Sequence, residues 1–210
     1  MTKYTQLISE LVILFVIIPL VLILNIPIYF KLSLPFLGLI YCTRLILKEK
    51  IISVADLYKI NSSNLWKPLF LKTTFLIVGS ILLMYLFNRD NLFIVVLEKP
   101  KLWLFICLFY TLFSVYPQEV LYRSFFFKRY ASLFKNTTIL IFINALLFAL
   151  AHTIFLNIYI SILTFIGGLV FAATYHKSKS LLFTSVEHAI YGSWLFTLGI
   201  GEYLGFPGVN

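Results

Sequence analysis

Residues Tyr116–Tyr130 read YPQEVLYRSFFFKRY and place a carboxylate, Glu119, and a guanidinium, Arg123, four positions apart. The surrounding run of Leu, Phe and Tyr is long enough to cross a bilayer, where a charged side chain costs about 2.5–3.5 kcal/mol or more unless it is paired or faces a cavity. Positions four apart lie on one face of a helix, so the two groups can pair and point together into a bundle. The stretch therefore reads as a membrane helix with a polar inner face, and such a face needs other helices to close around it.

The rest of the chain agrees. Of its 210 residues 61% are hydrophobic, against about 45–50% in a soluble domain. The mean hydropathy is +0.97. The formal charge of +9 comes from Lys and Arg scattered between apolar runs, with no stripe or long cluster, so membrane topology explains it and a nucleic-acid partner is not expected. Cys42 and Cys107 both fall in apolar runs with no ligand spacing, so neither a disulfide nor a thiolate metal site is expected. The first apolar run has Pro19 in its interior and no small-x-small cleavage site, and reads as a retained span rather than a signal peptide.

A hydrocarbon core needs about 20 helical residues. That rule predicts an all-α, polytopic transmembrane bundle of about seven spans: Leu7–Leu24, Leu32–Leu47, Pro68–Phe87, Leu102–Phe127, Thr137–Phe155, Leu156–Tyr175 and Leu181–Ile200. The fourth is long enough to need a tilt or a kink, which Pro117 would provide. Asn157 marks the boundary between the fifth and sixth. An eighth segment, within Lys50–Leu57 or Leu92–Leu97, would be too short to cross and would be re-entrant or interfacial. Ser62–Asn64 is a turn or cap signal. Gly168 and Ala172 form a small-residue face suited to close helix packing. With the N-terminus in the cytoplasm, ten Lys and Arg fall on inner loops, four on outer loops and three within spans, which favours that orientation.

Few strongly polar groups remain at membrane depth, and most lie late in the chain: Gln118, Glu119 and Arg123, then Asn144 and His152, then Glu187 and His188. The organisation expected is a scaffold over residues 1–101, site-bearing spans over 102–200 and a short tail over 201–210. One carboxylate and two imidazoles on three helices form an economical catalytic set. The carboxylate can act as base on a water while the imidazoles share the proton and stabilise an oxyanion. The same three groups could ligate zinc, but the compact HExxH spacing is absent, so a metal-free mechanism is preferred and no cofactor is expected.

QEVLYR at Gln118–Arg123, FALAH at Phe148–His152 and HAIYG at His188–Gly192 resemble, in order and spacing, the three motifs of the CAAX protease and bacteriocin-processing (CPBP, or Abi) family of intramembrane proteases, which read EExxxR, FxxxH and HxxxN or HxxxD. Members are helical membrane proteins. Eukaryotic ones trim the last three residues of prenylated proteins, and bacterial ones are linked to peptide maturation, bacteriocin self-immunity and protein sorting. The resemblance implies a glutamate-type endopeptidase in a bacterial inner membrane, acting near its cytoplasmic face. Its partners would be membrane lipids and a peptide or protein substrate, with or without an attached lipid. Glu119, His152, His188 and Arg123 would be its catalytic residues, with Glu119 as base, His152 as proton partner, His188 as oxyanion donor and Arg123 holding Glu119 ionised. Two positions depart from the pattern. Gln118 stands where the family has its first Glu, and Gly192 where it has Asn or Asp. On this reading Glu119 takes over as base and Asn144 supplies the missing amide, with Gln118 and Glu187 in support. The alternatives are a non-catalytic member serving as an immunity, accessory or peptide-binding protein, and a small transporter or proton relay.

Overall fold

The structure is a computed structural model that describes residues 2–59 and 64–201. All regular elements among these residues are helical. Six helices among the described residues are long and apolar enough to cross a membrane: α1 (Lys3–Ile23), α2 (Ile28–Glu49), α4 (Trp66–Phe87), α6 (Pro100–Leu133), α7 (Thr137–His152, with a 3-10 turn to Phe155) and α8 (Ile158–Ser178). The seventh expected span is α9 (Leu181–Thr197), a 17-residue helix. Short helices α3 (Val54–Tyr58) and α5 (Ile94–Glu98) occupy the two stretches too short to cross. The turn signal at Ser62 and Ser63, and residues 202–210 of the tail, lie outside the described residues.

Side-chain caps fix where the late helices begin. Asn136 accepts from the Ile139 amide at 2.9 Å, Asn157 from Tyr159 at 2.9 Å and Ser180 from Phe183 at 3.1 Å, each filling a donor that the first helical turn leaves open. The boundary at Asn157 is thus a cap. α2 and α8 end at Lys50 and Lys179, both in the left-handed backbone conformation that stops a helix.

α7 and α8 pack closely along their length. A Cβ at Gly168 would stand 3.1 Å from the Ala145 Cα and 3.2 Å from its carbonyl oxygen, so the glycine lets the two backbones approach. α9 is enclosed on several sides, packing against α3, α4, α5, α6 and α8. Outside, the polarity of a soluble protein is reversed: Phe75 and Phe87 on α4 are each 82% exposed, and Phe105, Leu112 and Phe113 of α6 also face outward. Such a surface suits lipid, and the chain is an integral membrane protein.

One end of the bundle is tied by charge. Arg129, near the end of α6, donates through Nε and Nη2 to the two oxygens of Glu10 on α1, each at 2.9 Å, and also pairs with Glu49 at the end of α2. Tyr130 and Tyr41 donate to the same Glu10 carboxylate at 2.7 and 2.9 Å. Beside them Lys128 reaches Asp56 at 2.5 Å. Burial pushes the Asp56 carboxyl up, but the Lys128 ammonium and the Ser53 donors outweigh it and hold it at about 2. These pairs moor α1, α2 and α3 to the end of the helix that carries the site.

Candidate active site

α6 is continuous but not uniform. π turns at Tyr110–Val115 and Val120–Phe125 flank a short α segment that contains Pro117. Proline lacks the N–H that would close an ordinary turn, and wide turns absorb the misfit while shifting the phase of all that follows. The bend expected at Pro117 is accommodated in this way. As a result, Gln118 lines a cavity while its neighbour Glu119 points into packed protein.

Glu119 is wholly buried. Its Oε1 accepts from His188 Nδ1 at 2.9 Å, and its Oε2 lies 3.3 Å from Arg123 Nε, within ion-pair range but off the line of a hydrogen bond. Arg123 is equally buried and donates through Nη1 to Asn144 Oδ1 at 2.5 Å. Asn144 Nδ2 in turn donates to the Tyr122 carbonyl at 2.8 Å. The guanidinium sits 4.9 Å from the centre of the Phe148 ring, a cation–π contact that spreads its charge. A carboxylate and a guanidinium thereby neutralise one another at a depth where either alone would be costly.

His188 stacks on Phe171 with ring centres 4.3 Å apart. An ionised carboxylate only accepts, so Nδ1 carries the proton, and Nε2 is the edge that meets the Tyr110 hydroxyl at 3.1 Å. His152 is fixed by similar logic. Its Nδ1 lies 2.7 Å from the Phe148 carbonyl, which can only accept, so the proton is on Nδ1 and Nε2 bears the lone pair.

Both imidazoles line a cavity of about 200 Å³ together with Tyr110, Ser114 and Gln118. Gln118 donates to Ser114 Oγ at 2.8 Å, while its Oε1 is buried without a hydrogen-bond partner among the described residues. The remaining wall is mostly apolar and comes largely from α8. It includes Leu163 and Ile166, which are also exposed on the outer surface of the bundle, so the cavity reaches the lipid-facing side.

Of the residues singled out in the sequence, Glu119, Arg123, His188 and Asn144 form one buried chain, while His152 and Gln118 share the cavity with His188. Asn144 faces Arg123 and does not line the cavity. Glu187 stands apart, bonded to Lys72 of α4 and to Tyr191 at 3.2 Å, with Lys72 also 3.2 Å from Thr174. The sequence offered a signal for that pair, since Lys72 and Glu187 are opposite charges within two apolar spans. Tyr110, Ser114 and Phe171 carried none: the chain has 13 Tyr and 22 Phe, and nothing distinguishes these. The departure at Gly192 has a steric counterpart, because a Cβ there would lie 2.1 Å from the Tyr110 hydroxyl. Among the described residues no three His, Cys, Asp or Glu side chains group as metal ligands.

Residues 100–194 match the family model described as type II CAAX prenyl endopeptidase Rce1-like. The comparisons with curated proteins and with solved structures return no match.

Proposed function

We propose that this chain hydrolyses a peptide bond in the cavity between α6, α7, α8 and α9, as the match of residues 100–194 to the Rce1-like type II CAAX prenyl endopeptidase model, a family of intramembrane proteases, supports. The observation that carries the reading is the Glu119–His188 contact at 2.9 Å, with His188 and His152 lining one cavity. Glu119 is the base suggested by the sequence, but it is wholly buried and does not line the cavity; one oxygen accepts from His188 and the other lies in ion-pair range of Arg123. We therefore give the base's role to His188 Nε2 and make Glu119 its partner. The carboxylate fixes the tautomer and stabilises the imidazolium that forms, while Arg123 and Asn144 hold the carboxylate in place.

In the reaction a water held between the two Nε2 atoms gives a proton to His188, and the resulting hydroxide attacks the scissile carbonyl carbon. The tetrahedral intermediate collapses as the C–N bond breaks, and His188 returns the proton to the leaving amine. His152 accepts the second hydrogen of the water and so aims it. The lipid-side wall at Leu163 and Ile166 gives a lateral entry for a membrane-embedded peptide, including one with an attached lipid. The reading retains an N-terminus in the cytoplasm, a supporting role for residues 1–101 and the site over residues 102–200.

Full burial of Glu119 and the amide at Gln118 favour a second reading, a non-hydrolytic member that binds a peptide in the same cavity. Purified protein in proteoliposomes, given a peptide library with and without C-terminal prenylcysteine, separates the two when new termini are read by mass spectrometry. Hydrolysis predicts cleavage by the wild type and a loss of about 10²–10⁴-fold in His188→Ala, with a smaller loss in His152→Ala. A wild type that retains peptides without cutting any of them establishes the binding reading instead.

A further inference from the structure

An oxyanion buried in an apolar cavity needs a donor aimed at it, and the Glu119–His188 pair supplies none while His188 acts as base. We propose that the donor is the Tyr110 hydroxyl, which makes Tyr110 a catalytic residue; this inference rests on the hydrolytic reading above. Tyr110 opens the first π turn of α6, at the point where that turn re-aims the helix face, and its side chain lines the cavity. Its ring packs edge-on against Phe196, with centres 4.8 Å apart, which sets the direction of the hydroxyl. The hydroxyl lies 3.1 Å from His188 Nε2.

Gly192 makes this placement possible. It lies one turn after His188 on α9, and a Cβ there would stand 2.1 Å from the Tyr110 oxygen and 2.3–2.4 Å from its ring carbons. No side chain at 192 can coexist with the ring as it stands, so the phenol occupies the room that a residue at 192 would otherwise fill beside His188. The two positions act as one unit: glycine on α9 admits a hydroxyl from α6.

The contact also couples binding to chemistry. With Nδ1 protonated, Nε2 accepts the Tyr110 hydrogen bond and the base is capped. When a peptide carbonyl enters, the hydroxyl turns to its oxygen and Nε2 becomes free for the water. As the proton moves to Nε2 and charge grows on the carbonyl oxygen, the phenol O–H is aimed at that charge. Tyr110 keeps its proton throughout, so no further acid or base is needed.

The test uses full-length protein in proteoliposomes and the best-cut peptide of the library. Tyr110→Phe keeps the ring and its packing but removes the donor, and it should lower kcat by about 10²–10³-fold with KM unchanged. Gly192→Ala, which displaces the ring, should lower kcat in the same way. Tyr110→Ala combined with Gly192→Asn returns a polar donor to the vacated room, and it should recover activity over Tyr110→Ala alone. Full kcat in Tyr110→Phe while His188→Ala is inactive overturns this inference and leaves the hydrolytic reading standing. Full activity in His188→Ala overturns the reading on which it rests.

Discussion

At Glu119 the penalty for burying charge is offset by three residues acting in series. His188 takes one oxygen, Arg123 balances the charge, and Asn144 occupies the guanidinium while donating to a backbone carbonyl. Removing one member leaves the rest buried and uncompensated, which is worse than never having had them. Arg123→Leu should therefore destabilise the protein by about 3–5 kcal/mol, measured as unfolding in detergent, and Arg123→Lys should recover only part of that because a point charge cannot serve both Glu119 and Asn144. The pair itself was legible in the sequence, since four-residue spacing in an apolar run leaves few other arrangements. The direction of Glu119 was not. Adjacent residues on a helix point about 100° apart, so which of Gln118 and Glu119 faces the cavity depends on the local phase of the helix, and the phase is set by backbone turns that the side-chain pattern does not encode.

Those turns belong to the element scale. α6 runs from Pro100 to Leu133 as one helix whose two wide turns bracket Pro117. A proline in a long apolar run announced some irregularity there; that it would be resolved as π turns rather than as a break follows from tertiary packing on both sides. The α7–α8 pair was more readable, because Gly168 and Ala172 marked a face for close approach. At Gly168 the neighbour is the Ala145 backbone, which cannot move aside as a flexible side chain would. Gly168→Ala should cost about 1–3 kcal/mol, and Gly168→Leu should prevent the two helices from docking. Both can be followed by thermal unfolding and by cross-linking of cysteines placed across the α7–α8 seam. Unchanged stability in Gly168→Leu would show that the seam is looser than described.

Across the whole molecule, the helical bundle followed from hydropathy, with six of the seven expected spans long and apolar enough to cross among the described residues, whereas the links between distant parts did not follow. Hydropathy reports which segments are apolar and says little of which charges meet, because that depends on helix order around the bundle. Among the described residues, two groups of ion pairs join the first part of the chain to the site-bearing part. Arg129 and Lys128 gather Glu10, Glu49 and Asp56 at one end, and Lys72 of α4 reaches Glu187 of α9. Glu187 is wholly buried beside His188, so Lys72 is the counter-charge that allows a carboxylate there. Lys72→Met should lower stability by about 1–3 kcal/mol, and adding Glu187→Leu should restore most of it, since the loss comes from the stranded carboxylate rather than from the missing amine. If the double variant is less stable than Lys72→Met alone, the pair contributes attraction of its own and this account of it fails.

The central claim is that Glu119 and His188 work as one unit on the cavity, and a double-mutant cycle on peptide cleavage tests it most directly. Residues that act as a unit are strongly non-additive. Each of Glu119→Gln and His188→Ala should slow cleavage sharply, and the double variant should be no slower than His188→Ala alone. Losses that multiply in the double variant, or a Glu119→Gln protein that cuts as fast as the wild type, would contradict it.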